Sequence, residues 1–269
     1  MAETYSGQLR KMKAAWNGSE VQYMLHWHNR VTLSLNEWVG KQLRLSWSGA
    51  IYCVACAKAI KKTYGDGFCF DCFSKSPEAA PCIVRPELCE AHLGKGRDAA
   101  WEEAHHNQPH VVYLAQTHGI KVGVTRETNV PGRWMDQGAW RAIPLARVPY
   151  RMLAGLIEVE LKQYLSDKTD WRKMLTHETG AEDLAQVAAQ MGAFLPPHLS
   201  TWLLSDAQVT ELRYPVLAYP TRVATAKLEE TPQIRFTLGG IRGQYLYLGE
   251  ERVINVRKYT GYEVELALL

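Results

Sequence analysis

Tyr113, Arg126, Arg133 and Glu158 fall in one stretch, Val111–Lys162, and together carry the groups that phosphodiester chemistry needs. Hydrolysis of a phosphodiester requires an activated water, neutralised phosphoryl oxygens and help for the leaving oxygen. A tyrosine orients or deprotonates water when nearby cations lower its pKa. An arginine forks onto phosphate. One carboxylate, with waters and substrate oxygens, holds a Mg2+ or Mn2+ ion. In these roles Tyr113 serves the water, Arg133 and Arg126 the phosphoryl charge, and Glu158 the metal. Each residue also has a structural reading: Tyr113 as a core-edge strand residue, Arg126 as a strand-end charge, Arg133 as a cation–π partner of Trp134. Glu158 stands in the apolar run Gly155-Leu-Ile-Glu-Val, where a carboxylate is costly unless paired or metal-bound.

The second constellation is the cysteines, all six of which fall between positions 53 and 89. Cys53-x2-Cys56 and Cys69-x2-Cys72 form two knuckles separated by twelve residues, the spacing that lets four thiolates meet around one tetrahedral Zn2+. Lys61, Lys62, Gly65 and Gly67 suit the intervening hairpin of a ribbon or knuckle. Buried or redox pairs and an iron–sulfur cluster are the other readings. Downstream, Cys82 and Cys89-x2-His92 offer three ligands that His105 or His106 would complete; we take Cys82, Cys89, His92 and His106 as the candidate second zinc set. Its irregular spacing equally admits buried cysteines beside surface histidines. Arg85, Lys95 and Arg97 nearby could contact phosphate or simply be a solvated basic loop.

These residues need elements to position them. Residues 1–52 alternate apolar and polar positions through Val21, Tyr23, Leu25 and Trp27, then Leu43, Leu45 and Trp47, the pattern of half-buried strands. Residues 53–108 lose the alternation and are rich in Cys, His, Gly and Pro, so a metal must replace a core there. Residues 109–180 read strand, turn, strand, helix, the helix carrying Leu153, Leu156, Ile157, Val159, Leu161 and Leu165 and ending near Ser166-Asp167. Residues 181–232 form a helical linker with Pro196-Pro197 as a breaker. Residues 233–269 alternate again, and both β-rich ends could join one sheet or barrel.

Composition sets outer limits. A hydrophobic share of 46% with 22% charged residues is that of a globular protein without long disorder. The net charge of +3 does not by itself argue for nucleic acid, but the stretch from Val111 to Lys173 holds ten Lys and Arg against six Asp and Glu. No apolar run is long enough to cross a membrane, and the first residues lack the features of a signal peptide. A cytoplasmic location follows as the default expectation, and a reducing compartment favours cysteines as ligands.

The order Val-Val-Tyr113-Leu, Lys121-Val-Gly123-Val-Thr125, Arg133 and Glu158-x2-Leu161-Lys162 resembles the GIY-YIG nuclease superfamily, nearest the branch whose second motif begins with Lys. The wider chain resembles a prokaryotic family of unknown function that joins a CxxC zinc module to such a core. Shared features are Cys82-Ile-Val-Arg-Pro-Glu-Leu-Cys89, Val112-Tyr-Leu-Ala115, Lys121–Arg126, Arg133–Ala139 and Asp167-Lys-Thr-Asp-Trp171. The resemblance implies that Tyr113 is the water-orienting tyrosine, Gly123 the close-approach glycine, Arg133 the phosphate arginine and Glu158 the metal-binding glutamate. Two departures accompany it. Lys121 replaces a tyrosine and could contact phosphate without acting as a neutral donor and acceptor. The asparagine that often follows the glutamate helix is missing, with Asp167 and Asp170 in its region.

The expected fold is α+β: a GIY-YIG-like small sheet with helices, preceded by a zinc knuckle or ribbon and flanked by β-rich ends. The expected function is a zinc-containing protein acting on nucleic acid, DNA rather than RNA, as a Mg2+- or Mn2+-dependent endonuclease. The alternatives are a non-catalytic nucleic-acid-binding protein on the same frame and a zinc-stabilised protein-interaction scaffold.

Overall fold

The computed structural model describes residues 3–29, 32–165 and 169–269. In chain order it begins with strands β1 (Thr4–Gln8), β2 (Lys13–Trp16), β3 (Val21–His26), β4 (Thr32–Ser34) and β5 (Gln42–Ile51), then helices α1 (Phe70–Lys75) and α2 (Ala99–His105). A strand and helix segment follows: β6 (His110–Gln116), β7 (Ile120–Arg126), α3 (Gly132–Asp136), β8 (Arg141–Val148), α4 (Arg151–Leu161), α5 (Trp171–Leu175), α6 (Leu184–Ala193), α7 (Pro197–Ser200) and β9 (Thr210–Glu211). Five strands close the chain: β10 (Ala224–Thr225), β11 (Gln233–Arg242), β12 (Tyr245–Leu248), β13 (Arg252–Asn255) and β14 (Tyr262–Leu268). The class is α+β, with β-rich ends, as the alternation of the sequence predicts.

Two compact units divide the chain: Met1–Ser74 with Met135–Gly138 and Arg213–Leu269, and Lys75–Trp134 with Ala139–Leu212. In the first unit, strands from both ends share one sheet in the order β1-β14-β5-β11-β12-β13-β10. A second sheet, β2-β3-β4, buries Val21, Tyr23 and Leu25 on one face, the period-two pattern seen as structure. Arg242 is among the largest fully buried side chains of this unit. Its Nε donates to the Gly138 carbonyl at 3.0 Å, and its guanidinium lies over the rings of Tyr214 and Tyr219, which makes a buried cation tolerable. Asp136 meets Lys11 Nζ at 3.3 Å and Gln244 Nε2 at 3.0 Å.

The second unit is built on the sheet β7-β6-β8-β9. Its central strand β6 is buried at every position, and this is why His110–Gln116 reads as an almost unbroken apolar run. Val112 and Leu114 of β6 and Val122 of β7 pack against Ala154, Ile157 and Leu161 of α4 and against Leu184, Ala188 and Met191 of α6. The buried stripe of α4 is therefore displaced from the expected one, and Leu156 and Val159 are exposed. The expected end of this helix near Ser166-Asp167 lies outside the described residues; α4 itself ends at Leu161 with Lys162 as its C-cap. Asp170, in the region of the missing asparagine, caps α5 by accepting from the amides of Arg172 and Lys173.

His110 opens β6 with no exposure to solvent. Its Nδ1 faces the Gln108 carbonyl at 2.7 Å, which fixes that nitrogen as the donor. Burial is the main reason its pKa is pushed down to about 4; the Gln108 carbonyl opposes the shift, and Arg151, His106 and Arg126 add to it. Between the ordinary histidine value of 6.5 and about 4, the unfolded chain binds more protons at this position than the folded one, so stability falls as pH drops. The urea midpoint is accordingly expected to decrease from pH 7 to pH 4.5 by less in His110→Leu than in the parent chain. An identical decrease in both would place the acid sensitivity elsewhere.

Candidate functional site

The two cysteine knuckles converge. The Sγ atoms of Cys53, Cys56, Cys69 and Cys72 all lie within 4.8 Å of one another, and Cys56 Sγ is 3.9 Å from Cys69 Sγ. Four Zn–S bonds of about 2.3 Å in a tetrahedron put sulfurs about 3.8 Å apart, so the group can hold a structural zinc ion. Cys53 follows β5, and the left-handed backbone of Ala57 turns the first knuckle so that the Ala57 amide reaches the Cys53 carbonyl at 2.9 Å. Between the knuckles the backbone pairs of Tyr64 and Phe68 close a tight hairpin, and Cys69 leads directly into α1. The module is thus a knuckle, a hairpin and a helical turn.

Burial opposes ionisation of Cys53. The amides of Cys56, Cys69 and Ala55 outweigh it and hold the thiol down at about 6. The Cys69 amide is 3.1 Å from Cys53 Sγ. Such amides stabilise thiolate and prepare it as a metal ligand.

A second group of potential ligands lies in the other unit and differs from the expected one. Cys82, Cys89, Glu102 and His106 bring one ligand atom each within 4.8 Å of the others. His106 Nδ1 is 3.6 Å from Cys89 Sγ and 3.9 Å from Cys82 Sγ, and it is in close contact with Glu102 Oε2. Glu102 takes the place expected of His92. The His92 ring is stacked on Tyr150 at 4.6 Å, which occupies its face. His105, the other candidate, is stacked on Trp101 at 4.1 Å. His105 is the last residue of helix α2 and His106 its C-cap, and strand β6 follows at His110. Residues 102 and 106 are four apart at the end of that helix and share a face, so the Glu-x3-His spacing is the signal in the sequence that points to Glu102.

The residues proposed for phosphoryl chemistry are sorted by the sheet onto two faces. In β6 and β7 alternate residues point to opposite sides. Val112, Leu114 and Val122 face α4, so Tyr113, Lys121 and Gly123 occupy the other face, and Arg126 falls by alternation on the α4 side. Tyr113 is opposite Gly123 and is 0% exposed, with its ring 6.0 Å from that of Trp134. It lies in the central strand, so it is not the core-edge residue of the structural reading. A Cβ at position 123 would sit 2.6 Å from the Tyr113 hydroxyl, so the tyrosine requires glycine there. Lys121 is buried and its Nζ is 2.7 Å from Thr169 Oγ1.

Glu158 is buried on α4, with Lys162 Nζ 3.3 Å from its Oε2. Glu158 belongs to neither ligand group found among the described residues. Arg151, two turns earlier on the same face of α4, had no signal in the sequence beyond its place at a helix start. Its guanidinium donates to the carbonyls of Cys82 and Ile83 at 3.0 Å. Burial lowers its pKa; Cys82, Cys89 and Glu158 act against that, and Arg133 reinforces it. Arg133 and Glu158 therefore both act on Arg151, while Tyr113 is directed away from Glu158.

Two outcomes follow. Gly123→Ala should lower stability by about 1–3 kcal/mol in urea unfolding, and the loss should shrink when Tyr113→Phe is present in the same chain. A full loss in the double variant would contradict the close approach. Cys56→Ser should remove one zinc per chain measured by elemental analysis and should destabilise the first unit. Unchanged metal content would contradict the four-thiolate centre.

No curated protein and no solved structure matches the chain. A family described as "Protein of unknown function (DUF2797)" matches residues 40–264, a span that includes both cysteine groups and the β6–α4 frame. The chain belongs to this family.

Proposed function

We propose that this protein is a zinc-stabilised nucleic-acid-binding protein that binds through its four-cysteine module, and whose β6–α4 frame, GIY-YIG-like in its motif order, does not cut. The observation that carries the reading is the outer surface of the four-cysteine module. Lys58, Lys61 and Lys62 are exposed there, and Phe70 is 62% exposed. Tyr64 meets Phe70 edge-on at 5.3 Å, and Lys62 Nζ lies 5.1 Å from the Tyr64 ring. Cations interleaved with presented aromatic rings suit a strand of nucleic acid, whose phosphates need neutralising and whose bases stack. A solvated basic loop would not need a large aromatic side chain held in water. The division of Tyr113 and Glu158 between two sheet faces, and the replacement of a tyrosine by Lys121, favour binding over cleavage.

A metal-dependent endonuclease is the second reading. It is favoured by the shared action of Arg133 and Glu158 on Arg151. In that reading Glu158 would hold Mg2+ or Mn2+, and Tyr113 would have to act on water from the opposite face.

Fluorescence anisotropy with labelled single-stranded DNA, duplex DNA and single-stranded RNA separates these. Binding is expected at low salt and should weaken steeply as salt rises. Phe70→Ala should weaken it about 5- to 100-fold, and Lys61→Glu with Lys62→Glu should flatten the salt dependence. No binding to any of the three at low salt would overturn the reading. Incubation with Mg2+ or Mn2+ should leave the oligonucleotides intact; products that vanish in Glu158→Ala would establish the nuclease instead.

A further inference from the structure

We propose that Cys82, Cys89, Glu102 and His106 form a second, structural zinc centre that ties the segment Pro81–Leu93, against which helix α4 packs, to the end of helix α2. The geometry is that of a metal shell. Bonds of about 2.3 Å to sulfur and 2.0–2.1 Å to nitrogen place S and N about 3.5 Å apart in a tetrahedron. The Cys89–His106 and Cys82–His106 separations of 3.6 and 3.9 Å are close to that edge. Two thiolates with an imidazole are a donor set for zinc in preference to magnesium or calcium, and the carboxylate is compatible with it.

Burial favours an ion at this position. Glu102 and His106 are each 3% exposed, and a carboxylate so enclosed is costly without a cation. The surroundings offer little else. The local apolar cluster consists of Ala80, Cys82, Cys89 and Ala91, with Met152 against it. The loop at Gly96 is folded so closely over Glu102 that a Cβ there would stand 2.3 Å from the Glu102 side chain. This carboxylate is therefore held inward by the chain.

Charge balance agrees. Two thiolates and one carboxylate against Zn2+ leave one negative charge, and the Arg151 guanidinium lies on the Cys82 and Ile83 carbonyls to offset it. Four protein ligands fill a tetrahedral shell, so the site is closed and its role is to hold chain. Helix α4 packs on the segment so held. Beyond the Arg151 bonds, Gly155 lies so near Pro86-Glu87 that a Cβ would be 2.1 Å from the Glu87 amide. The ion thus orders the segment on which the helix carrying Glu158 packs, whatever that helix binds.

Elemental analysis of the whole purified chain tests this. Two zinc ions per chain are expected. Cys89→Ser and Glu102→Ala should each lower the content to about one, whereas His92→Ala should keep two. A variant that fails to fold is met by Glu102→Cys, which exchanges one zinc ligand for another. It should keep two metals, and after cobalt substitution it should raise the sulfur-to-cobalt charge-transfer absorbance by about a sixth, as six thiolates become seven. One zinc per folded parent chain would overturn the proposal, as would a Cys82–Cys89 disulfide in freshly prepared protein. Two zinc ions retained in folded Glu102→Ala would remove Glu102 from the ligand set and overturn the proposed shell.

Discussion

The convergence of four cysteines, a group that can hold a zinc ion, is the constraint on which the middle of this chain depends. From Cys53 to His106 the chain forms short turns and helices of no more than seven residues, and Phe70, Ile83, Val84, Leu88 and Leu93 stay exposed instead of joining a core. Burial of a few alanines and cysteines cannot offset the entropy of ordering such a segment. A zinc ion held by the four converging sulfurs would offset it, because metal binding is then coupled to folding. The knuckle that results also sets what faces outward. The hairpin at Tyr64–Phe68 and the start of α1 hold the Tyr64 ring against an exposed Phe70.

The second constraint is the central position of β6. A strand paired on both edges and covered on both faces leaves no side chain in solvent, and Tyr113 is enclosed for that reason. Its hydroxyl needs the space left by Gly123, so the tyrosine and glycine form a packing pair, whatever other role they have. Glu158 belongs to the helix on the other face, where Lys162 and Arg151 moderate its charge. A reaction centre spanning both would need both groups to reach one phosphate. The face assignment argues against this, and the function proposed above follows from it.

Much of this was legible in the sequence, for identifiable reasons. CxxC spacing is local, so the four-thiolate group could be read directly. Period-two alternation marked Val21–Leu25 and Ile234–Leu238 as strands because each has one wet face. The second ligand group was harder. Cys82, Cys89 and His106 were recognisable, but the choice between His92 and Glu102 depends on which element packs against Tyr150, a tertiary matter. The stripe of α4 was misjudged because Gly155 and Glu158 turn toward the segment around Glu87, so the helix buries two sides and leaves Leu156 and Val159 out. Arg151 had no local signal, since its partners are carbonyls of residues far away in sequence.

The central claim is that metal shells, not a hydrophobic core, order the region from Cys53 to His106. X-ray absorption at the zinc edge of the whole chain tests it most directly. Four sulfurs in one shell and two in the other average to about three sulfurs and one nitrogen or oxygen per zinc, with Zn–S near 2.3 Å. A first shell dominated by nitrogen and oxygen, or a folded chain free of zinc, would contradict the account.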